Sequence, residues 1–137
     1  MYISKIHIEN FKSFKGSFKL LLDKGINIIV GENEAGKSTI IEAIHLALSG
    51  LLNGKYLNNE LTQYIFNYEV IKEYLDNLSN GVNSAPPHIL IEIFIEGDGI
   101  SEFEGNGNSE KSNFSGISLK IAFDEKYKKE YEDLIKI

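Results

Sequence analysis

Residues 31–38 read Gly-Glu-Asn-Glu-Ala-Gly-Lys-Ser and fit the pattern G-x-x-x-x-G-K-[ST] at every fixed position. The two glycines permit backbone angles that a side chain would forbid, so the loop amides can surround phosphate oxygens. An ordinary glycine-rich turn would leave the Gly-Lys-Ser run unexplained. The motif therefore predicts a phosphate-binding loop for ATP, in which the lysine reaches the β- and γ-phosphates and the serine hydroxyl binds Mg²⁺. The predicted nucleotide contacts in and beside this loop are Gly31, Glu34, Ala35, Gly36, Lys37, Ser38 and Thr39, with Ser38 also the predicted magnesium ligand.

The sequence on either side of the loop has the periodicity that such a loop requires. Residues 26–30 are a short, mostly apolar and β-branched run, which predicts a strand buried on both faces. After Ser38 the apolar residues recur at helical spacing, which predicts a helix of about four turns that fades near residues 52–54. A phosphate-binding loop of this type lies between a strand and a helix, and the flanking segments predict both.

The remaining elements are predicted from periodicity and turn residues. Residues 80–87 contain a glycine and two prolines and predict a loop. Residues 97–116 are rich in glycine, asparagine and serine and predict a flexible loop, either an exposed hairpin loop or a disordered segment. Strands are expected at 1–8, 17–22, 89–95 and 117–123, of which the first two form a hairpin and the last two pair antiparallel. Helices are expected at 60–78 and 125–137, and Asn67 is expected to interrupt the first of them as the N-cap of its second half.

Composition excludes several functional classes. The chain of 137 residues carries a net charge of −6, which argues against a broad basic surface for nucleic acid. All of its basic residues other than histidine are lysines, so the chain cannot donate an arginine finger. It contains no cysteine and no apolar run of the roughly 18 residues that a membrane span needs. We expect a cytoplasmic protein with no membrane partner.

Residues 6–14, 25–30, 31–38 and 41–44 together resemble the start of RecF-, SMC- and OLD-type ATPases of the ABC-ATPase class. That family opens with a strand ending in N-F-[RK]-[SC]-F, a hairpin, and a strand G-x-N-x-I that enters the phosphate loop. The resemblance implies that Lys12 lies near the nucleotide phosphates and that Asn33 lies beside the γ-phosphate. The alternatives are that Lys12 is a solvated turn lysine and that Asn33 is a loop former tolerant of left-handed geometry.

The resemblance also implies a fold and a biological setting. We expect an α/β P-loop NTPase fold like the first lobe of an ABC-ATPase head, with a mixed sheet and an antiparallel β-layer. Residues 1–137 would form a single, incomplete N-terminal part of that domain. Residues 60–74 and 86–92 resemble the OLD-type version, whose complete members couple the ATPase to a Toprim nuclease. The longer protein of which these residues would be a part would then dimerise through its ATPase heads and act on DNA. These residues would contact DNA only as part of that longer protein.

Several parts of a complete ATPase site are missing from the sequence. We find no signature motif of the L-S-G-G type, and Gln63 lies in a helical stretch where a glutamine loop is not expected. Asp124 and Glu125 follow a strand, as a Walker B pair would, but that strand alternates polar and apolar residues. We interpret the pair as the acidic start of a helix.

These absences predict a chain that binds ATP and Mg²⁺ and hydrolyses ATP poorly by itself. One alternative is a nucleotide-independent interaction module that keeps the P-loop as a scaffold. A small nucleotide kinase is a weaker alternative, because such enzymes bring arginines to the transferred phosphoryl group.

Overall fold

The computed structural model describes residues 1–30, 36–52 and 54–135, and for residue 135 it describes the backbone alone. The elements in chain order are β1 (Tyr2–Glu9), β2 (Ser17–Leu21), α1 (Lys37–Ser49), β3 (Leu51–Leu52), β4 (Lys55–Tyr56), α2 (Leu57–Glu60), a 3-10 turn (Gln63–Ile65), α3 (Tyr68–Ser79), β5 (Ile89–Glu96), a 3-10 turn (Ser101–Phe103), β6 (Glu104–Gly105), β7 (Phe114–Ile121), a 3-10 turn (Glu125–Tyr127) and α4 (Lys128–Ile135).

Five strands form one sheet in the order β2-β1-β5-β7-β6. Every neighbouring pair that the structure describes in this sheet is antiparallel, which confirms the predicted antiparallel layer. The predicted hairpin of the first two strands and the predicted pairing of β5 with β7 are both confirmed. β7 begins at Phe114, three residues before the predicted start, because the ladder to β5 extends back to Ser115.

The hydrophobic core lies between the sheet and α1. Alternate residues of β1 and β5 face the helix, since successive side chains of a strand point to opposite faces. α1 contributes the residues at helical spacing that face the sheet. The buried members of this core are Ile6, Ile8, Phe11, Ile40, Ala43, Leu46, Leu52, Ile65, Ile89 and Ile91. This packing fixes the start of α1 relative to β1 and to the turn that follows β1.

The helices are shorter than the sequence predicts. α1 ends at Ser49 because Gly50 adopts a left-handed conformation (φ 72°) and donates its N–H to the Leu46 carbonyl. The predicted helix over 60–78 is divided into α2, a 3-10 turn and α3. The division arises at Asn67, whose side chain accepts the N–H groups of Glu69 and Val70, and the predicted N-cap is thereby confirmed.

The strand predicted at residues 26–30 is wrong for this structure. The segment has no regular secondary structure, and Ile26, Ile28 and Val30 are 90%, 82% and 84% exposed. A strand buried on both faces needs neighbours that complete its ladder and cover its side chains. None of the described strands pairs with this segment, so the part of the mixed sheet that it would supply does not form.

Within the described ranges, no helix has the length and apolar composition needed to cross a membrane.

Candidate nucleotide-binding site

The phosphate motif leads directly into α1. Gly36 is the residue before the helix and adopts a left-handed conformation, with φ 90° and ψ 11°. A Cβ atom at this position would lie 2.8 Å from Cζ of Phe14 and 3.1 Å from Oγ of Ser13. Gly36 is therefore required both by its backbone angle and by the closeness of the turn after β1.

The first turn of α1 is suited to an anion. Among the described residues no side chain caps the helix start at Gly36, and the first turn contains no acidic residue. The first N–H groups of a helix have no partner within the helix, and the aligned peptide dipoles give this end a partial positive charge. The start of α1 can therefore accept a phosphate group.

The structure describes four of the predicted contact residues at this helix start. Gly36 is buried, the Lys37 side chain is partly buried, and Ser38 is exposed. Thr39 is 9% exposed, and its Oγ1 lies 3.3 Å from Oγ of Ser13. Thr39 thus joins the helix start to the turn after β1, which is a contact that the sequence did not indicate. Four further predicted contacts lie outside the described residues: Gly31, Asn33, Glu34 and Ala35.

Lys12 lies in the turn after β1 and has a left-handed backbone, with φ 48°. Its N–H donates to the carbonyl of Ile65 at 2.9 Å, and its own carbonyl accepts the side-chain amide of Asn67 at 2.8 Å. Its ammonium group forms an ion pair with Glu42 of α1. The structure thus brings the Lys12 side chain to α1, the helix that carries Lys37 and Ser38.

Four residues of this region were not predicted from the sequence to belong to the site: Ser13, Phe14, Glu42 and Asn67. Ser13 and Phe14 contact Gly36 or Thr39, and the other two contact Lys12. The N-cap role of Asn67 was recognisable in the sequence, because an asparagine before a helical run is a frequent N-cap. Nothing local indicates its second contact, which spans 55 residues of sequence.

The described residues fit a magnesium nucleotide and do not provide a magnesium cage. In the described ranges, no group of three or more His, Cys, Asp or Glu side chains could hold a metal ion. Magnesium is commonly held by one or two protein oxygens together with substrate phosphates and water. The Ser38 hydroxyl and the start of α1 match this arrangement.

Asp124 occupies the start of a helical turn, as the sequence interpretation proposed. Its carboxylate accepts the N–H of Lys126 at 3.1 Å, and both Asp124 and Glu125 are exposed. A carboxylate at this position is favoured by the free N–H groups of the turn. The helix-start interpretation of this pair is confirmed.

A second polar cluster lies on the sheet face opposite α1. Glu92 of β5 accepts hydrogen bonds from the N–H and Oγ of Ser109, at 2.9 and 2.5 Å, and its Oε1 lies 2.9 Å from Nδ1 of His7. Burial alone would raise the pKa of Glu92, but the hydrogen bonds from Ser109 and His7 outweigh burial and hold this pKa below its ordinary value. The other ring nitrogen of His7, Nε2, lies 2.7 Å from Oγ of Ser17. This cluster links β1, β2 and β5 to the segment that contains Ser109.

Comparison with known proteins identifies the family of the chain. The sequence profile of the family described as "AAA domain" matches residues 5–137. The chain is 33% identical over 115 residues to the DNA double-strand break repair Rad50 ATPase of Thermoplasma acidophilum, covering 79% of this chain and 13% of that protein. It is 30% identical over 117 residues to the chromosome partition protein Smc of Pyrococcus furiosus, covering 77% of this chain and 10% of that protein. The chain thus spans a small part of the length of these relatives.

Solved structures show the same fold. A structure of the recombination mediator RecF with ATP superposes with a TM-score of 0.55 at 17% identity, covering 88% of this chain and 24% of RecF. A structure from a study of ATP-driven dimerisation and DNA-stimulated activation of SMC ATPases superposes with a TM-score of 0.53 at 20% identity, covering 89% of this chain and 64% of that chain. The fold is that of a P-loop ATPase head. The chain belongs to the AAA-domain family, as an ABC-type ATPase of the kind represented by RecF, SMC and Rad50.

Proposed function

We propose that the chain binds ATP with Mg²⁺ at the start of α1 and is the nucleotide-binding part of a DNA-repair ATPase. The observation that carries the proposal is the helix start at Gly36, where the phosphate motif leads into an uncapped first turn without acidic residues. The turn after β1 packs against this start and adds a second lysine, Lys12.

Each residue of the proposed site has a distinct task. The amides of the loop and of the first helical turn donate to phosphate oxygens, as helix starts do for anions. The ammonium groups of Lys37 and Lys12 balance the charge of the β- and γ-phosphates. The Ser38 hydroxyl holds the magnesium ion, which supplies further positive charge between the phosphates. Gly31, Asn33, Glu34 and Ala35 complete the proposed loop, and Thr39 fixes the helix start to Ser13.

We propose that the chain alone hydrolyses ATP slowly. The sequence offers no Walker B pair or signature motif, and Asp124 serves as the cap of a helical turn. A hydrolytic water therefore has no carboxylate assigned to orient it. Turnover by the 137-residue chain at the rate of a complete ATPase would contradict this part of the proposal.

In the intact protein, residues 26–30 would form a strand of a larger ATPase head. This proposal is supported by the exposed side chains of Ile26, Ile28 and Val30, and by relatives several times longer than this chain. Two heads would dimerise around ATP and drive an activity on DNA. The protein would be cytoplasmic. The narrower proposal, a coupled nuclease of the OLD type, rests on the pattern of residues 60–74 and 86–92.

Calorimetric titration of the chain with ATP and Mg²⁺ tests the central proposal, with Lys37→Ala as the site variant. Equal affinity for both proteins would refute the assignment of the loop. No binding by either protein would favour a nucleotide-independent interaction module.

A further inference from the structure

The backbone of Lys12 is held in an uncommon conformation by residues far away in sequence. Its φ of 48° is one that non-glycine residues seldom adopt. The hydrogen bonds to Ile65 and from Asn67 fix both peptide groups of Lys12, and the N–H of Asn67 donates to the Asn10 carbonyl at 2.9 Å. The turn after β1 is thereby clamped to the N-terminus of α3.

Asn67 performs two tasks with the two halves of its side-chain amide. Its Oδ1 caps α3 by accepting the N–H groups of Glu69 and Val70, at 3.1 and 3.3 Å. Its Nδ2 donates to the Lys12 carbonyl. Asn67 is 7% exposed, so water does not compete freely for either contact. Because the tasks use different atoms, a substitution can remove one of them and keep the other.

The ammonium group of Lys12 is held by a carboxylate on the P-loop helix. Glu42 follows Ser38 by four residues on α1, so the two side chains share one face of the helix. The side chains of Lys12 and Glu42 are 27% and 35% exposed. An ion pair with this exposure is weak, and a more highly charged anion can displace the carboxylate.

We infer that two residues control the proposed phosphate contact of Lys12: Glu42 holds its ammonium group, and Asn67 fixes its backbone. Asn67 is a positioning residue that directs Lys12 toward the start of α1. Glu42 competes with the phosphates for the ammonium group and repels them. The inference rests on the proposed function, since it assigns regulation to the same site.

The two residues predict effects of opposite sign on affinity for ATP with Mg²⁺. Glu42→Gln removes the competing charge and tightens binding about two- to fivefold, the range that corresponds to one exposed ion pair. Asn67→Asp keeps the oxygen that caps α3 and removes the donor to Lys12, so binding weakens while the helical content is unchanged. A purely structural role for both residues would weaken binding in both variants or in neither.

Lys15 offers a matched control in the same turn. Its ammonium lies 2.5 Å from Oε1 of Glu73 and 3.4 Å from Oε2 of Glu69, both on α3, and the hydrogen bond that it donates to Glu73 raises the pKa of Lys15. Glu73→Gln removes a carboxylate from a lysine–glutamate pair that does not involve α1. It should leave the affinity for ATP unchanged.

Calorimetric titration of the four proteins, together with lysine labelling by acetic anhydride, tests the inference. Mass spectrometry should show faster acetylation of Lys12 in Glu42→Gln and of Lys15 in Glu73→Gln, because each amine loses a carboxylate that pairs with it, although Lys15 keeps Glu69. If the wild type binds ATP but Glu42→Gln matches Glu73→Gln in affinity, the inference fails and the proposed function stands. If Lys12 labelling does not respond to Glu42→Gln, the inference also fails. A wild type that binds no ATP refutes both.

Discussion

Nδ1 of His7 lies 2.9 Å from Oε1 of Glu92, and both residues are only 3% exposed. They are direct cross-strand partners in the ladder of β1 and β5. Glu92 also accepts two hydrogen bonds from Ser109, in the segment between β6 and β7. One buried carboxylate therefore joins the middle of the sheet to this segment.

Glu92→Ala should destabilise the chain by about 1–3 kcal/mol, the cost of leaving buried hydrogen-bonding groups unsatisfied. His7 and Ser109 would both lose their shared acceptor. Urea unfolding monitored by circular dichroism measures the change. Glu96→Ala, at the exposed end of the same strand, is the control and should have a smaller effect. Equal destabilisation by the two variants would show that the hydrogen bonds of Glu92 contribute no more to the free energy of unfolding than an exposed residue of the same strand does.

The lowered pKa of Glu92 predicts that acid destabilises the fold. A carboxyl group with a depressed folded-state pKa contributes stability above its unfolded pKa, about 4.3 for glutamate. That contribution is lost as the pH falls through the folded pKa, because the unfolded state binds the proton first. Unfolding free energies measured from pH 7 to pH 3 should therefore fall less steeply for Glu92→Gln than for the wild type. Parallel curves would contradict the assigned hydrogen bonds.

Gly36→Ala should cost more stability than Gly50→Ala. Both glycines have a positive φ, and the left-handed conformation costs an L-residue about 1–2 kcal/mol. At Gly36 the new Cβ would also contact Phe14, whereas nothing lies within 4 Å of a Cβ at Gly50. Thermal unfolding of both variants separates the two contributions. Gly36→Ala should also weaken ATP binding, and equal behaviour of the variants would show that the contact with Phe14 is unimportant.

Two isoleucines test how the core and the exposed segment differ. Ile91 is fully buried in the core, so Ile91→Ala should cost about 2–5 kcal/mol. Ile28 is 82% exposed, so Ile28→Ala should change stability by less than about 0.5 kcal/mol. Urea unfolding of both variants measures the difference. A large loss in Ile28→Ala would mean that residues 26–30 are packed in solution.

The parts of the fold that follow local rules could be predicted from sequence. β1, β5 and β7 were recognisable because their apolar residues are β-branched or alternate, and Asn67 because a cap lies beside the helix that it caps. Residues 26–30 satisfy the same local rules, yet they form no strand. A strand exists only with a partner, and the partner is not a property of the segment itself.

The contacts around Lys12 could not be predicted, since they depend on tertiary structure. The sequence placed Lys12 near phosphates through a resemblance, but Glu42 and Asn67 lie 30 and 55 residues away from it. The pairing of His7 with Glu92 spans 85 residues and depends on the strand register. A residue's type indicates what it can bind, and only the fold determines which group it meets.

The most direct test of the account is the affinity of the 137-residue chain for ATP with Mg²⁺, measured by calorimetry on the wild type, Lys37→Ala and Lys120→Ala. Lys120 is an exposed lysine of β7 and controls for the loss of one positive charge. We predict saturable binding to the wild type and to Lys120→Ala, and at least about tenfold weaker binding to Lys37→Ala, as expected for a lost charged hydrogen bond. Equal affinity of all three proteins, or no binding to the wild type at millimolar ATP, would contradict the assignment of a nucleotide site at the start of α1.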